Sequence, residues 1–232
     1  MVAVVCGHLD MVCELLKRED LDVNKCSWSG RFCQSFCCSA LTRSVADGRL
    51  DIVLELLKRQ DLDVIAHDAF IHACHFGHLD IVRELLKRKD FDVNARIRGA
   101  GYSIVHYDGT ALNRAIHRGH LGIVRELLKH HDLNVNADEP LIYSCRFGRL
   151  DIVRELLQYK DLDVNALYKG GAYSFVRNHG TALMVAVIRG HLDIVCELLK
   201  RQDLDVNVND DRHHTPLMQA YENDHWDIFG NS

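Results

Sequence analysis

The chain is poor in proline: its 232 residues contain two, Pro140 and Pro216. No proline-rich or serine-rich tract separates one part from another, so nothing marks an interdomain linker. Long apolar runs are also missing. None approaches the roughly 18 to 20 residues that a bilayer span requires, which excludes a membrane helix. The opening Met1-Val2-Ala3-Val4-Val5-Cys6 has no basic residues ahead of its apolar stretch and so is not a secretory leader. It matches Met184 to Arg189 position for position and reads as the remnant of a helix. The chain is therefore expected to begin inside a structural unit, either because an upstream cap has been lost or because the array was once longer. No nucleotide loop, no His-Glu-x-x-His and no Ser or Cys nucleophile signature occurs, so neither catalysis, nor a cofactor, nor a small-molecule substrate is expected. The nine cysteines are odd in number, irregularly spaced and unaccompanied by a leader, which points to a reducing compartment, the cytoplasm or nucleus. Excess positive charge is absent too. Lys and Arg number 28 against 33 Asp and Glu, a formal net charge of -5, where a nucleic-acid footprint is a strongly basic stripe.

What the chain does have is repetition. The phrase Gly77 to Asn94, GHLDIVRELLKRKDFDVN, returns with few changes from Gly7, Gly48, Gly119, Gly148 and Gly190, and a worn version, DHWDIF, runs from Asp224 to Phe229. Leu79, Val82 and Leu86 fall at helical spacing and Ile81 and Leu85 widen the same face, so the phrase predicts an amphipathic helix. Asp80 at its start and Lys87 and Arg88 at its end suit the helix dipole. Glu84 can reach Lys87 and Arg88 across one turn. A second, shorter helix is predicted ahead of each Gly, as in Thr110 to Arg118, Thr181 to Arg189 and His214 to Glu222. Thr or Ser as N-cap, with Ala or Pro at the first helical position, is the start signal, and both prolines stand there.

Each unit thus reads as helix, tight Gly turn, helix, then an Asp-Val-Asn exit. One unit alone could not stand. Burying four or five aliphatic side chains contributes roughly 1.5 to 3 kcal/mol each, against about 1 to 2 kcal/mol per residue of backbone ordering over some thirty residues. Neighbours must stack to share a core. The length would suit one or two globular domains, but repetition from end to end predicts a single elongated domain, an all-α solenoid.

Thr215-Pro216-Leu217, the Gly190-His191 pair, the Leu-Leu of the second helix and Asp205-Val206-Asn207 together closely resemble the ankyrin repeat, and the resemblance covers nearly the whole chain. It implies an ankyrin-repeat solenoid of stacked helix-turn-helix units with β-hairpin finger loops, about residues 1–24, 39–65, 68–94, 110–136, 139–165, 181–207 and 215–229. In the family the Gly-His turn is structural, its imidazole bridging adjacent units, which is the role implied for His8, His78, His120 and His191; Arg49 and Arg149 replace it as alternative donors. One departure is local: Asp90-Phe91-Asp92-Val93-Asn94 is a residue longer than the usual exit and lacks the glycine that supplies the left-handed helix cap. Asn94, Asn136, Asn165 and Asn207 stand where ankyrin repeats can be substrates for asparaginyl hydroxylation.

The second departure is spacing. From each Gly to the next unit the steps are 41, 29, 42, 29, 42 and 34 residues, a super-repeat of 70 or 71. The surplus lies in long connectors at 25–38, 95–109 and 166–180, while the short ones are only Ala66-His67 and Ala137-Asp138. The long connectors have central Gly followed by Tyr-Ser-Ile/Phe-Val and predict hairpins. Arms of about five residues at ~3.3 Å each would project roughly 15 to 17 Å.

Cys26, Cys33, Cys37 and Cys38 fall in the first long finger. Thiolates bind zinc, but the spacing is not that of a structural site and the equivalent fingers have no cysteine. Metal or redox sensing there is the alternative function. Cys74 and Cys145 fill equivalent core positions, and His130, His131, His213 and His214 read as solvated turn residues. The leading function is a non-catalytic protein-protein interaction scaffold, acting as a monomer. The resemblance places the partner-binding side on the concave face, made by the ends of the first helices and the fingers. In the middle units that row is basic and aromatic: His75, Phe76, His117, Arg118, Arg146, Phe147 and Arg189, with Arg98, Tyr102, Tyr107, Lys169 and Tyr173 added by the fingers. Arg, Tyr and Phe are enriched at interface hot spots. The expected partner is an acidic segment or patch of another protein, with nucleic acid and membrane disfavoured.

Overall fold

A computed structural model describes residues 4, 6–25, 39–63, 69–88, 92–97, 109–168 and 180–223. Among these residues are twelve helices and one two-stranded antiparallel pair. The helices are α1 (Leu9–Leu16), α2 (Ala40–Ala46), α3 (Leu50–Leu57), α4 (Ala69–Phe76), α5 (Leu79–Leu86), α6 (Ala111–Arg118), α7 (Leu121–Leu128), α8 (Pro140–Arg146), α9 (Leu150–Leu156), α10 (Ala182–Ile188), α11 (Leu192–Leu198) and α12 (Pro216–Glu222). Even-numbered helices are the first of each pair and odd-numbered ones the second.

The first helices start where hydroxyl caps stand. Ser39, Thr110, Thr181 and Thr215 each accept a hydrogen bond from the backbone N–H three residues on, satisfying one donor that the helix leaves open. α8 differs. Its cap position, Glu139, makes no side-chain cap bond, and Asp138 and Glu139 have φ of 60° and 48°. A two-residue connector turns the chain in the space that elsewhere takes a finger, and the left-handed backbone is how it does so.

From α3 onward the second helices bury an Ile, a Val and a Leu at matching positions: Ile52, Val53 and Leu56 in α3, Ile81, Val82 and Leu85 in α5, and their counterparts in α7, α9 and α11, with Leu128 buried in addition in α7. The buried arc therefore centres on Ile81, Val82 and Leu85, and the predicted stripe partners Leu79 and Leu86 lie only half-buried at its edges. The arc shifts because each second helix packs on its own first helix and also beside the second helices next to it.

These helices end without glycine. Their cap residues keep right-handed backbone, as at Lys58 (φ -71°, ψ -21°) and Lys87 (φ -70°, ψ -17°). At the ends of α1 and α9 an arginine of the following repeat satisfies terminal carbonyls instead. Arg59 donates to the carbonyls of Leu16 (3.0 Å) and Arg18 (2.8 Å), and Arg201 to those of Leu157 (2.8 Å) and Tyr159 (3.4 Å), while each guanidinium is held by its own Asp, Asp61 or Asp203.

The exit asparagines form a second tie. Asn24 Nδ2 donates to the Asp61 carbonyl (2.6 Å) and its Oδ1 accepts from Asp63 N–H (2.8 Å). Asn136 repeats this with Asp161 and Asp163, and Asn165 with Asp203 and Asp205. Asn94 Nδ2 donates to the Asp132 carbonyl (2.7 Å). One side-chain amide thus stands in for a strand pairing between neighbouring repeats.

The helices pack as two compact units, Met1–Leu133 and Asn134–Ser232. In the first, α2, α4 and α6 form one layer and α1, α3, α5 and α7 the other; in the second, α8, α10 and α12 face α9 and α11. The base of the middle long finger is the strand pair β1 (Arg96–Ile97) and β2 (Gly109–Thr110), with Arg96 opposite Thr110 and Ile97 opposite Gly109. The third long finger closes in the same manner, Tyr168 N–H donating to the Gly180 carbonyl (3.1 Å). The seven-residue connector before α12 turns at His213 (φ 63°), and Asp210 N–H donates to the His214 carbonyl. No helix among the described residues is long and apolar enough to cross a membrane.

Candidate partner-binding surface

The turn between the helices of each pair fixes where the first helix ends. At Gly77 φ is +87°, and a Cβ there would lie 2.6 Å from Cε1 of His120 in the next repeat; at Gly148 φ is +64° and the ring is that of His191, at 2.9 Å. Glycine is required both for backbone conformation and for this approach. His120 Nε2 lies 3.1 Å from the His75 carbonyl, which accepts from it, and Arg49 Nη2 donates to the Gly7 carbonyl (2.9 Å). The Gly-His turn is an inter-repeat clasp, and arginine does the same work at position 49.

In the first compact unit the predicted row divides by burial. His75 is buried, Phe76 and Arg118 are exposed and His117 is half-buried. Arg118 donates from Nε (3.2 Å) and Nη2 (2.8 Å) to His75 Nε2. Burial, and then the charges of Arg118, Arg114, His72 and His117, hold the His75 imidazole down at about 4. The ring is thus neutral at pH 7, its Nε2 an acceptor and its proton on Nδ1, a buried atom with no hydrogen-bond partner. The Phe76 ring meets His75 edge-on, centroids 5.0 Å apart.

Seven other arginines, exposed or half-buried, are matched to carboxylates: Arg18 to Asp20, Arg43 to Asp47, Arg49 to Asp51, Arg59 to Asp61, Arg83 to Glu126, Arg154 to Glu197 and Arg201 to Asp203. Arg118 has no carboxylate partner among the described residues. It is held in place by a neutral ring that orients the guanidinium without cancelling its charge.

In the second compact unit Arg146 lies over the Phe147 ring, Cζ 5.3 Å from the centroid. Tyr143, one turn earlier, sits 6.3 Å from the same ring. Burial first, then the Tyr168 hydroxyl with which it hydrogen bonds, pushes the Tyr143 phenol up to about 12, so α8 is tied to the base of the third long finger. Arg189 is exposed at the end of α10. Arg98, Tyr102, Tyr107, Lys169 and Tyr173 lie outside the described residues, as do Cys26, Cys33, Cys37 and Cys38.

Two features escape sequence reasoning. The role of His75 as the seat for Arg118 depends on a contact 43 positions away. The other is the His130-His131-Asp132 turn, whose side chains could hold a metal ion. There His131 Nε2 lies 3.1 Å from Asp132 Oδ2, and Asp132 N–H donates to His130 Nδ1 (3.3 Å). His130 stands where Arg59 and Arg201 stand in other repeats, but its ring accepts from the backbone N–H of the Asp two residues on instead of donating to its carboxylate, consistent with a turn residue.

A profile of the family described as ankyrin repeats matches this chain in three copies, over residues 1–97, 98–168 and 163–229. No curated protein matches it.

Proposed function

The chain belongs to the ankyrin-repeat family, and from that premise we propose that it is a non-catalytic scaffold that binds an acidic segment of another protein at the ends of its first helices. Ankyrin repeats are in general protein-protein interaction modules. The observation that carries the finer reading is Arg118: exposed, held by a neutral imidazole, lacking a carboxylate among the described residues and flanked by an exposed Phe76. A partner carboxylate would supply the missing acceptor in a two-pronged hydrogen bond, and a neighbouring apolar side chain would cover Phe76. Arg146 with Phe147 offers the same pairing of charge and ring in the second compact unit. The long fingers flank these positions in sequence, and we assign them the role of contacting the same partner. The working compartment is intracellular and reducing.

The test is affinity capture with the full chain and with an Arg118→Ala, Arg146→Ala, Phe147→Ala variant, followed by identification of retained proteins and titration of the main one. Loss of a partner whose mapped segment is rich in Asp and Glu supports the assignment. Retention at equal affinity by the triple variant overturns it. A second chain, its long fingers cut to two residues, reports separately on the hairpins.

A further inference from the structure

The turn that follows α7 carries a set of side chains that no other repeat has. Where it has His130-His131-Asp132, the equivalent turns have Arg18-Glu19-Asp20, Arg59-Gln60-Asp61, Arg88-Lys89-Asp90, Tyr159-Lys160-Asp161 and Arg201-Gln202-Asp203. The Asp is common to all six. At Asp20, Asp61 and Asp203 an arginine two residues earlier takes the carboxylate. At Asp132 that arginine is replaced by His130, and the carboxylate faces the His131 imidazole instead.

His131 Nε2 lies 3.1 Å from Asp132 Oδ2. Two ligand atoms each about 2.1 Å from one ion and at right angles to each other stand about 3.0 Å apart, so this pair has the bite of a tetragonal ion. The His130 ring is stacked on that of His131, centroids 4.9 Å and planes 15° apart. One ligand atom from each of the three side chains falls within 4.8 Å of the others, and among the described residues no other trio of His, Cys, Asp and Glu does so.

The backbone beneath the trio is held. His130 N–H donates to the Leu127 carbonyl (2.9 Å) and Leu133 N–H to that of His130 (3.1 Å), while Asn94 Nδ2 of the preceding repeat fixes the Asp132 carbonyl (2.7 Å). The adjacent cation, Lys129, is paired with Glu126 at 3.3 Å. Small side-chain rotations therefore bring the three groups onto one ion. The bond given up at His130 Nδ1 is the long one from Asp132 N–H (3.3 Å). The side chains of His131 and Asp132 are 84% and 68% exposed, so an ion enters without opening the fold.

We propose that His130, His131 and Asp132 form a binding site for a divalent transition-metal ion, Cu2+ in preference to Ni2+ or Zn2+. Two imidazole nitrogens and a carboxylate oxygen suit such ions, and Cu2+ heads the affinity order for these donors. The near right-angle bite favours Cu2+ over Zn2+, which demands a tetrahedron. The ion takes the place of the proton between His131 and Asp132, which is released on binding, and water completes the coordination on the exposed side. The assignment departs from the sequence reading, which places its candidate metal ligands in the first long finger, and it is independent of the acidic-partner reading.

The test is calorimetric titration of the full chain with Cu2+, its accessible thiols alkylated first so that sulfur does not compete. One saturable site is expected, with weaker uptake of Zn2+. Loss of an outer partner alone costs about tenfold or more in metal affinity, so His130→Gln with His131→Gln abolishes the site and Asp132→Asn weakens it by about that factor. In the natural chain, Cu2+ added below one equivalent broadens the amide NMR signals of His130 to Leu133 and of Asn94 before all others, a reading that needs no variant. Absence of saturable uptake overturns the proposal, as do equal affinity in the double Gln variant and first broadening elsewhere in the chain.

Discussion

At the scale of single residues, His75 links stability to pH. Its folded-state pKa is held at about 4, below the ordinary value of 6.5, so folding favours the neutral ring. The sign follows: this contribution is fully present above pH 6.5 and is lost as pH falls from there through 4. Full protonation of the buried ring would cost on the order of 3 kcal/mol. Urea midpoints recorded between pH 7.5 and 4.5 should therefore fall for the natural chain, and His75→Gln, which keeps an acceptor for Arg118 but cannot be protonated, should flatten the slope. Equal slopes in both chains would remove His75 as the cause. Gly77→Ala tests the clasp. The left-handed φ of +87° and the 2.6 Å approach of His120 predict a loss of about 2 kcal/mol or more in chemical denaturation. A neutral result there would mean that the turn rearranges freely.

At the scale of elements, the repeats are tied by side chains to backbone across the repeat boundary. Asn165→Ala removes a donor to the Asp203 carbonyl and an acceptor for Asp205 N–H. Both are exposed and water replaces part of what is lost, so the expected cost is about 1 kcal/mol. Arg201→Ala uncovers the end of α9 and should cost a similar amount; the double variant should lose less than the sum, because both ties hold the same turn of the following repeat. This scale also separates what was legible in the residues from what was not. Helix pairs, Thr and Ser caps, the two prolines at helix starts and the hairpin bases follow from local patterns, and the structure has them. The glycine-free ends of α1 and α9 carry no local cap signal, because the capping arginine lies some forty residues downstream, where no local rule searches. From its place at the end of a helix His75 reads as a surface residue, yet it is buried. Its burial depends on the neighbouring α6, which positions Arg114, His117 and Arg118 around it. The finger residues Tyr102 and Tyr173 lie outside the described residues and stay assigned by pattern alone.

At the scale of the whole molecule, thiols report on both compact units. Cys74 and Cys145 are fully buried and their thiols are pushed far above the ordinary range by burial, whereas Cys6 and Cys196 are exposed. Brief alkylation of the native chain should modify Cys6 and Cys196 and spare Cys74 and Cys145, as read by peptide mass spectrometry. Rapid labelling of either buried thiol under native conditions would contradict the packing of that unit. The inter-repeat arginine and asparagine ties bear in addition on how such a chain comes into being. Leu16 receives its cap from Arg59 and Asn24 finds its carbonyl at Asp61, separations of 43 and 37 positions. On the ribosome each repeat therefore leaves the exit tunnel unfinished and is closed only by its successor. Translation pauses placed one repeat behind a boundary would leave open helix ends waiting, and synonymous codon changes that move those pauses would alter yield without altering a single side chain.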